Sequence, residues 1–406
     1  MALDVAGQIR TFNAGRDPER LKLKYEAMRA SPFTFLRGTC HLFYARMARG
    51  GVHKAAPNVW VCGDLHLENF GSYKGDNRLA YFDINDFDES ALAPATWDLV
   101  RFLASVQVGA ATLKVGEAKA QRLCETFVEA YADALALGKA YWVERDTATG
   151  LVHELLDDLR GRERAAFIAK RTQMDGNKRR LDTTNGKALK ASGDQHKRVA
   201  AFMRGFAKTQ PNPSFYEVID VERRVAGTGS LGVERYVILV RGKGSPDGNY
   251  LLDLKVSSAS SLTPRLKVTQ PRFASHAARI VAVQRRLQAV PMDFLHAVKF
   301  DAKPAVLRGL QPSEDRVELD RAGGDMKALG PLLATMGRIV AWAHLRSAGQ
   351  GGSANVDALI DFGSRKKWRA PLLAASRECA AQVFADAKAY NAAFDAGFFA
   401  PGKPGK

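Results

Sequence analysis

Cysteine is scarce in this chain: Cys40, Cys62, Cys124 and Cys379 are the only four among 406 residues, they lie far apart, and no CxxC pair occurs. That excludes a zinc knuckle and a disulfide framework and fits a reducing cytoplasm. Also missing is any run of about 18 uncharged apolar residues, so no membrane span is expected. The opening stretch MALDVAGQIRTF has neither the basic start nor the apolar centre of an export signal, and a soluble cytoplasmic protein is expected. Acidic residues are under-represented, with 43 Asp and Glu against 60 Lys and Arg, for a formal net charge of +17. Such an excess suits a polyanionic partner (nucleotide phosphate, nucleic acid, an acidic protein or membrane surface) or serves solubility alone.

Against that background the acids are concentrated in one place. WVCGDLHLENFGSYKGDNRLAYFDINDFDES, residues 60–90, holds Asp64, His66, Glu68, Asp83, Asp86 and Asp88. Crowded carboxylates need a cation, a shared proton or a large solvent surface. Phe82, Ile84 and Phe87 are interleaved with them and call for burial, which argues against the solvated surface. Asp64 and Asn69 stand in D-x-x-x-x-N spacing on a tight loop: an aspartate to position or deprotonate a hydroxyl, then an asparagine to hold a metal. Taken alone, that spacing fits an ordinary structural loop better. Asp86 follows the strand-like run LAYFDI, so a hairpin can return it to face the first loop, where a carboxylate would take a magnesium ion bridging nucleotide phosphates.

Along the chain, residues 17–49 read as helical with a break at Ser31-Pro32, and NVWVCG and RLAYFDI as short strands flanking the GDLHLENFGS loop. From Trp97 to about Trp142 apolar residues recur at helical spacing. Residues 157–198 are charged and poor in apolar residues, expected as short helices mixed with mobile loop. From 215, three strand-like runs separated by a glycine-rich turn and a GKGSPDGN turn predict an antiparallel meander. A helix over 273–290, strands at FLHAVKFD and PAVLRGL, a helix over 329–348 and two helices near 368–396 complete the chain before a PGKPGK tail. The fold class is α+β.

The turn VAGTGSLGVERYVILV places Gly227, Gly229 and Gly232 in GxGxxG between two strands, with Lys255 on the third. A GxGxxG alone also suits a flexible hairpin turn. In a dinucleotide fold it would lead into a helix, whereas RYVILV continues as a strand, as in the glycine loop that covers phosphates in kinases.

GDLHLEN resembles the HGDxHxxN loop of the aminoglycoside and choline phosphotransferase branch of the protein-kinase-like fold, and NDFDESALAPATWDL is similar to its IDFxxA…P…DL continuation. The resemblance implies ATP and Mg²⁺ as cofactors. It makes Asp64 the catalytic base, Asn69 and Asp86 metal ligands with Asp83 as the alternative second ligand, and Asp98 a buried acceptor for the loop backbone. Gly227, Gly229, Ser230 and Gly232 would cover the phosphates, and Lys255 would grip them. Cys62 stands where that branch carries histidine, and His66 and Glu68 match only loosely. Kinase-like chains run glycine loop, lysine, helix, then catalytic loop. Here the order is reversed, which implies a two-lobed fold in circularly permuted order. Residues 1–205 would form the catalytic hairpin and helical lobe, 206–320 the β-rich nucleotide lobe, and 321–406 helices packing on the helical lobe. With SPFTFLRG and VAVQRRLQAVPMDFL, the whole chain also resembles an uncharacterised bacterial family.

One departure concerns Lys255. The helix after it should supply a glutamate partner, yet residues 262–292 contain no acid, leaving Gln284 or Gln288 as candidates to orient the lysine. A decoy is Asp361-Phe362-Gly363, which spells the kinase DFG but has no D-x-x-x-x-N at a workable distance before it. The function expected is ATP-dependent phosphoryl transfer to a hydroxyl acceptor, which the positive charge inclines toward an anionic one. The alternatives are a pseudokinase, a nucleotidyl transferase, or a metal-dependent phosphohydrolase built on Asp64, His66, Glu68 and Asp86. A nucleic-acid binder is less favoured, since Lys170, Arg171, Lys178, Arg179 and Arg180 have almost no aromatic interleaving. A zinc deaminase is excluded by the missing PCxxC.

Overall fold

Prolines and small polar caps set the first helices. The structure, a computed structural model, describes residues 3–47, 51–244, 247–311 and 315–400. The end of the first expected helical stretch (Ala48, Arg49), the middle of the GKGSPDGN turn and the PGKPGK tail lie outside the described residues. α1 (Val5–Phe12) starts at Asp4, while α2 (Pro18–Ala30) and α3 (Pro32–Gly38) each begin on a proline behind a cap, Asp17 and Ser31. α4 (Cys40–Arg46) follows, and the break at Ser31-Pro32 is where the proline requires it.

β1 (Asn58–Val61), β2 (Phe70–Lys74), β3 (Ala80–Ile84) and β4 (Ala91–Pro94) form two separate ladders. The two predicted strands flank the loop but do not pair with each other: β1 takes β4 and β3 takes β2, both antiparallel. The stretch from Trp97 is two helices rather than one, α5 (Thr96–Val108) and α6 (Glu117–Leu137). Gly138 stops α6 at φ 67°, so Trp142 lies beyond it.

After α7 (Gly150–Arg160) and α8 (Arg164–Ala169) the charged segment forms a hairpin where loop was expected, β5 (Thr172–Asp175) with β6 (Lys178–Leu181). Only Thr172 and Leu181 of that hairpin are buried, which is why composition concealed it. β7 (Ala188–Leu189) and α9 (Gly193–Ala207) precede the meander β8 (Val218–Arg224), β9 (Arg235–Val240) and β10 (Tyr250–Val256). Then come α10 (His276–Leu287), β11 (His296–Phe300), β12 (Lys303–Gly309), α11 (Met326–Arg346), α12 (Val356–Ser364) and α13 (Arg369–Asp395). The last two differ from the expected pair, since 369–395 is a single helix.

One antiparallel sheet runs β11-β12-β10-β9-β8-β7. Its outer face is covered by α9, where Val199 and Met203 pack with Val221, Ile238 and Leu252, so the β-rich unit recruits residues ahead of the expected boundary at 206. The larger core gathers α5, α6, α11 and α13 with one face of α10. No helix among the described residues is long and apolar enough to cross a membrane.

The α6–α11 contact depends on Gly337, where an added Cβ would lie 2.5 Å from the Phe127 carbonyl oxygen of α6. Gly337→Ala is expected to destabilise the protein by about 1–3 kcal/mol through overpacking, although alanine favours a helix over glycine. Urea unfolding of the variant checks this.

Candidate functional site

The site is built first from local constraints. β1 leads into Cys62-Gly63, and Asp98, in the first turn of α5, accepts both amide protons at 2.8 and 2.9 Å. Burial pushes the Asp98 carboxyl up to about 6 while those amides hold it down. Gly63 sits at φ 87°, and a Cβ there would lie 2.2 Å from the Glu89 carbonyl oxygen, so glycine lets the two acidic loops touch. Tyr44 donates its hydroxyl to the Gly63 carbonyl at 2.7 Å. The next residue, Asp64, is thereby presented at a fixed place.

The β2–β3 register, with Phe70 opposite Ile84, brings the second acidic loop beside the first. Asn69 Nδ2 donates to the carbonyl oxygens of Asp64 at 3.1 Å and Asp86 at 3.3 Å, tying the two loops together. Asp64, Asn69 and Asp86 are therefore neighbours. Asp83 is not: it is buried behind the hairpin, paired with Arg346 at 3.1 Å and accepting the Ala289 amide at 3.2 Å. The alternative metal ligand is thus committed to packing, because its position in β3 points it away from the loop.

The second half of the chain closes over this hairpin. A Cβ on Gly229 would lie 3.1 Å from the Arg37 carbonyl oxygen and 4.0 Å from Asp64 Oδ2, so the glycine loop rests directly on the Asp64 loop. Gly227, Gly229, Ser230, Lys255, Asp64, Asn69 and Asp86 line one narrow space of about 90 Å³. Gly232 does not reach it; it packs on Leu21 and Arg16, and its carbonyl accepts the Asp17 amide at 2.9 Å. Its φ of 85° shapes the return of the loop into β9.

Each acid has a cationic partner. Arg101, fully buried on α5, donates Nε and Nη2 to Asp64 Oδ1 at 3.1 and 2.6 Å, leaving Oδ2 toward Gly229. Burial outweighs that pairing and lifts Asp64 above the usual aspartate range. Asp86 is exposed to the cleft; desolvation by the surrounding protein pushes it up, but Lys255, Arg308 and the Asp88 amide together hold it below that range. Glu68 is shared by Arg37 at 2.7 Å and Arg316 at 3.3 Å. His66 accepts the Glu68 amide on Nδ1, and burial then Arg37 keep it neutral.

The lysine partner expected on α10 is absent, and neither glutamine replaces it. Gln284 donates to Gln288, which donates to the Ile84 carbonyl. Lys255 instead pairs with Asp88, two residues past Asp86. α10 contributes Arg279, which donates to the Asp88 and Ser90 carbonyls. Three further cations hold the glycine loop: Arg16 and the fully buried Lys24 donate to the Gly229 carbonyl at 2.9 and 3.0 Å, and Arg20 reaches the carbonyls of Arg224 and Arg235. Sequence reading named Asp88 without a role and missed Arg101, Arg16 and Lys24; Arg101, three residues past Asp98 on one helix face, was the only one of those three with a local signal.

The decoy stands apart. Asp361 is exposed on α12 and paired with Arg365, Phe362 stacks on Trp368 at 4.5 Å, and Gly363 packs on the α6 backbone.

The chain belongs to the family described as an uncharacterized protein conserved in bacteria (DUF2252), whose model matches residues 16–393. No curated protein and no solved structure matches it.

Asp98→Ala removes the acceptor of two buried amides and is expected to cost about 3 kcal/mol in urea unfolding, with a smaller loss for Asp98→Asn, which keeps one acceptor oxygen.

Proposed function

We propose that this protein is a phosphotransferase of the two-lobed protein-kinase-like kind in permuted order, using Mg-ATP and a hydroxyl acceptor. The observation that carries the reading is the meeting of Gly229 and Lys255 from the second half with Asp64 and the Asp86–Asp88 loop from the first. The sheet supports it too: glycine loop between β8 and β9, lysine on β10, helix α10, then β11 and β12 is the order of a nucleotide lobe.

In this reading Lys255 leaves Asp88 for the phosphates, and the amides of Gly227 to Ser230 cover them. Asp86 and Asn69 would hold a magnesium ion in the cleft, as a hard cation takes oxygen ligands. Magnesium, when bound, supplies charge that neutralises the phosphate oxygens. The acceptor oxygen bonds to the γ-phosphorus as the bond to the β–γ bridging oxygen breaks, ADP leaves, and the hydroxyl proton passes to Asp64 Oδ2. Arg101 fixes the orientation of that carboxylate. The raised position of Asp64 makes it a readier proton acceptor than an exposed aspartate.

A nucleotide binder without turnover is the second reading, favoured by Asp64 and Lys255 both being held by protein partners. Nucleotidyl transfer would use the same parts. The phosphohydrolase reading is disfavoured by the double engagement of Glu68.

Wild-type protein is expected to gain about 2.7 kcal/mol of stability at a hundredfold excess of Mg-nucleotide over Kd, read as a thermal shift. Asp86→Ala should lose the magnesium-dependent part of that shift. Asp64→Ala should keep binding and lose turnover by roughly 10²–10⁴-fold; wild-type turnover would refute the base. Asp361→Ala should change stability by no more than about 0.5 kcal/mol and leave nucleotide binding intact, whereas lost metal binding would restore the unpermuted order.

A further inference from the structure

A second, larger space of about 590 Å³ shares Asn69, Asp86, Gly227 and Thr228 with the narrow one and runs beneath the sheet. Eight lysine and arginine side chains line it against two aspartates. At its floor Arg224, Arg235 and Arg308 crowd around one fully buried carboxylate, Asp253, at 2.6, 2.6 and 3.5 Å. Carbonyl oxygens take part of the remaining donors: Arg224 reaches Gln311, Arg235 reaches Ala226 and Arg308 reaches Asn85. Asp253 balances one of these three guanidiniums and Asp86 faces Arg308 and Arg235, yet cations still outnumber acids along this half-open cavity, and burial together with the neighbouring guanidiniums pulls Arg224 down to about 9. Two further polar groups of the lining, Gln311 Nε2 and Arg37 Nε, have no hydrogen-bond partner among the described residues. Opposite the floor, the basic segment before and after the β5–β6 hairpin supplies Lys170 and Lys187 to the rim, which gives that segment a place in the cavity.

A purine carries no charge and leaves buried guanidiniums uncompensated. A magnesium-bound triphosphate is already met by Lys255 and the glycine loop. The surplus cations call for a different anion, and guanidinium forks select oxyanions with several acceptor oxygens. We infer that the Arg224–Arg308 floor of this cavity binds a phosphate group, and that the acceptor is a phosphorylated small molecule. That the phosphate belongs to the acceptor rests on the phosphotransfer reading above; that a phosphate binds there does not.

The test is thermal shift and calorimetry of the full chain with pyrophosphate, without magnesium or nucleotide. Wild type is expected to bind it. Arg308→Gln, which leaves Asp253 with two arginines, should weaken binding roughly ten- to hundredfold, the loss of a charge-assisted hydrogen bond. Lys187→Gln, at the exposed rim, should weaken it less without disturbing the fold. Lys187→Gln should keep the Mg-ATP shift, since Lys187 does not line the narrow space at Asp64 and Asp86. No pyrophosphate binding in wild type, or no weakening in either variant, overturns the site. Joint loss of pyrophosphate and Mg-ATP binding in Lys187→Gln overturns the acceptor assignment and gives the basic cavity to the nucleotide. Pyrophosphate binding with no response to Mg-ATP in wild type leaves the phosphate site standing and defeats the phosphotransfer reading.

Discussion

Crowding carboxylates around one partly buried cleft is the constraint from which the rest of this molecule follows. Asp64, Asp83, Asp86, Asp88, Glu68 and Glu89 lie within one short reach of chain, and none can remain ionised there without compensation. The compensation comes from all over the sequence: Arg101 on α5, Arg346 on α11, Lys255 on β10, Arg37 on α3 and Arg316 ahead of α11. Each pair ties a different element to the same hairpin. For the Asp83–Arg346 pair, whose carboxylate is buried, removing one partner costs about 3–5 kcal/mol, and through all of these pairs the acidic hairpin also acts as a joint of the tertiary structure.

The same accounting explains the N-terminal arm. A glycine-rich loop is cheap to bend and expensive to order, and here its carbonyls are ordered by Arg16, Arg20 and Lys24 from the first two helices and their connection. Lys24 is fully buried, and burial followed by the repulsion of Arg16 pushes its ammonium well below the usual lysine range. It persists because Asn13 Oδ1 and the Gly229 carbonyl accept from it, while Asp64 and Glu89 oppose its neighbours. The loop is consequently seated on Asp64 before any ligand arrives. The larger cavity beneath the sheet is then the roomier way to the Asp86 loop, and it is a basic one.

What was legible in the sequence was local. Asp64, Asn69 and Asp98 could be placed because a tight loop and the first turn of the following helix fix their relation within about 35 residues, and Asp86 because a five-residue strand returns it. Gly227, Gly229 and Lys255 could be read from a glycine turn between strands. Asp83 and Gly232 stand beside residues that line the cleft, yet the sheet's two-residue alternation and the way out of the turn send them to Arg346 and Leu21. No composition rule reveals that. Pairings such as Lys255 with Asp88, 167 residues apart, were illegible for the same reason, because a salt bridge leaves no periodicity. The β5–β6 hairpin escaped because its exposed side is basic and its buried side amounts to two residues.

The unusual partner of Lys255 has a physical logic of its own. A glutamate on α10 would hold the lysine from behind the sheet, whether or not phosphate were present. Asp88 holds it from the front, in the space a phosphate would take, and both the Asp88 and the Ser90 carbonyls are fixed by Arg279 of α10. The helix therefore steers the lysine through the acidic loop, using an arginine on backbone where a carboxylate on the ammonium would serve elsewhere. Lys255 and Asp88 neutralise one another across the cleft. In the proposed reading a polyphosphate would offer the lysine more negative charge than a single carboxylate does, and would free Asp88 beside Asp86 at the place where a divalent cation would gain most.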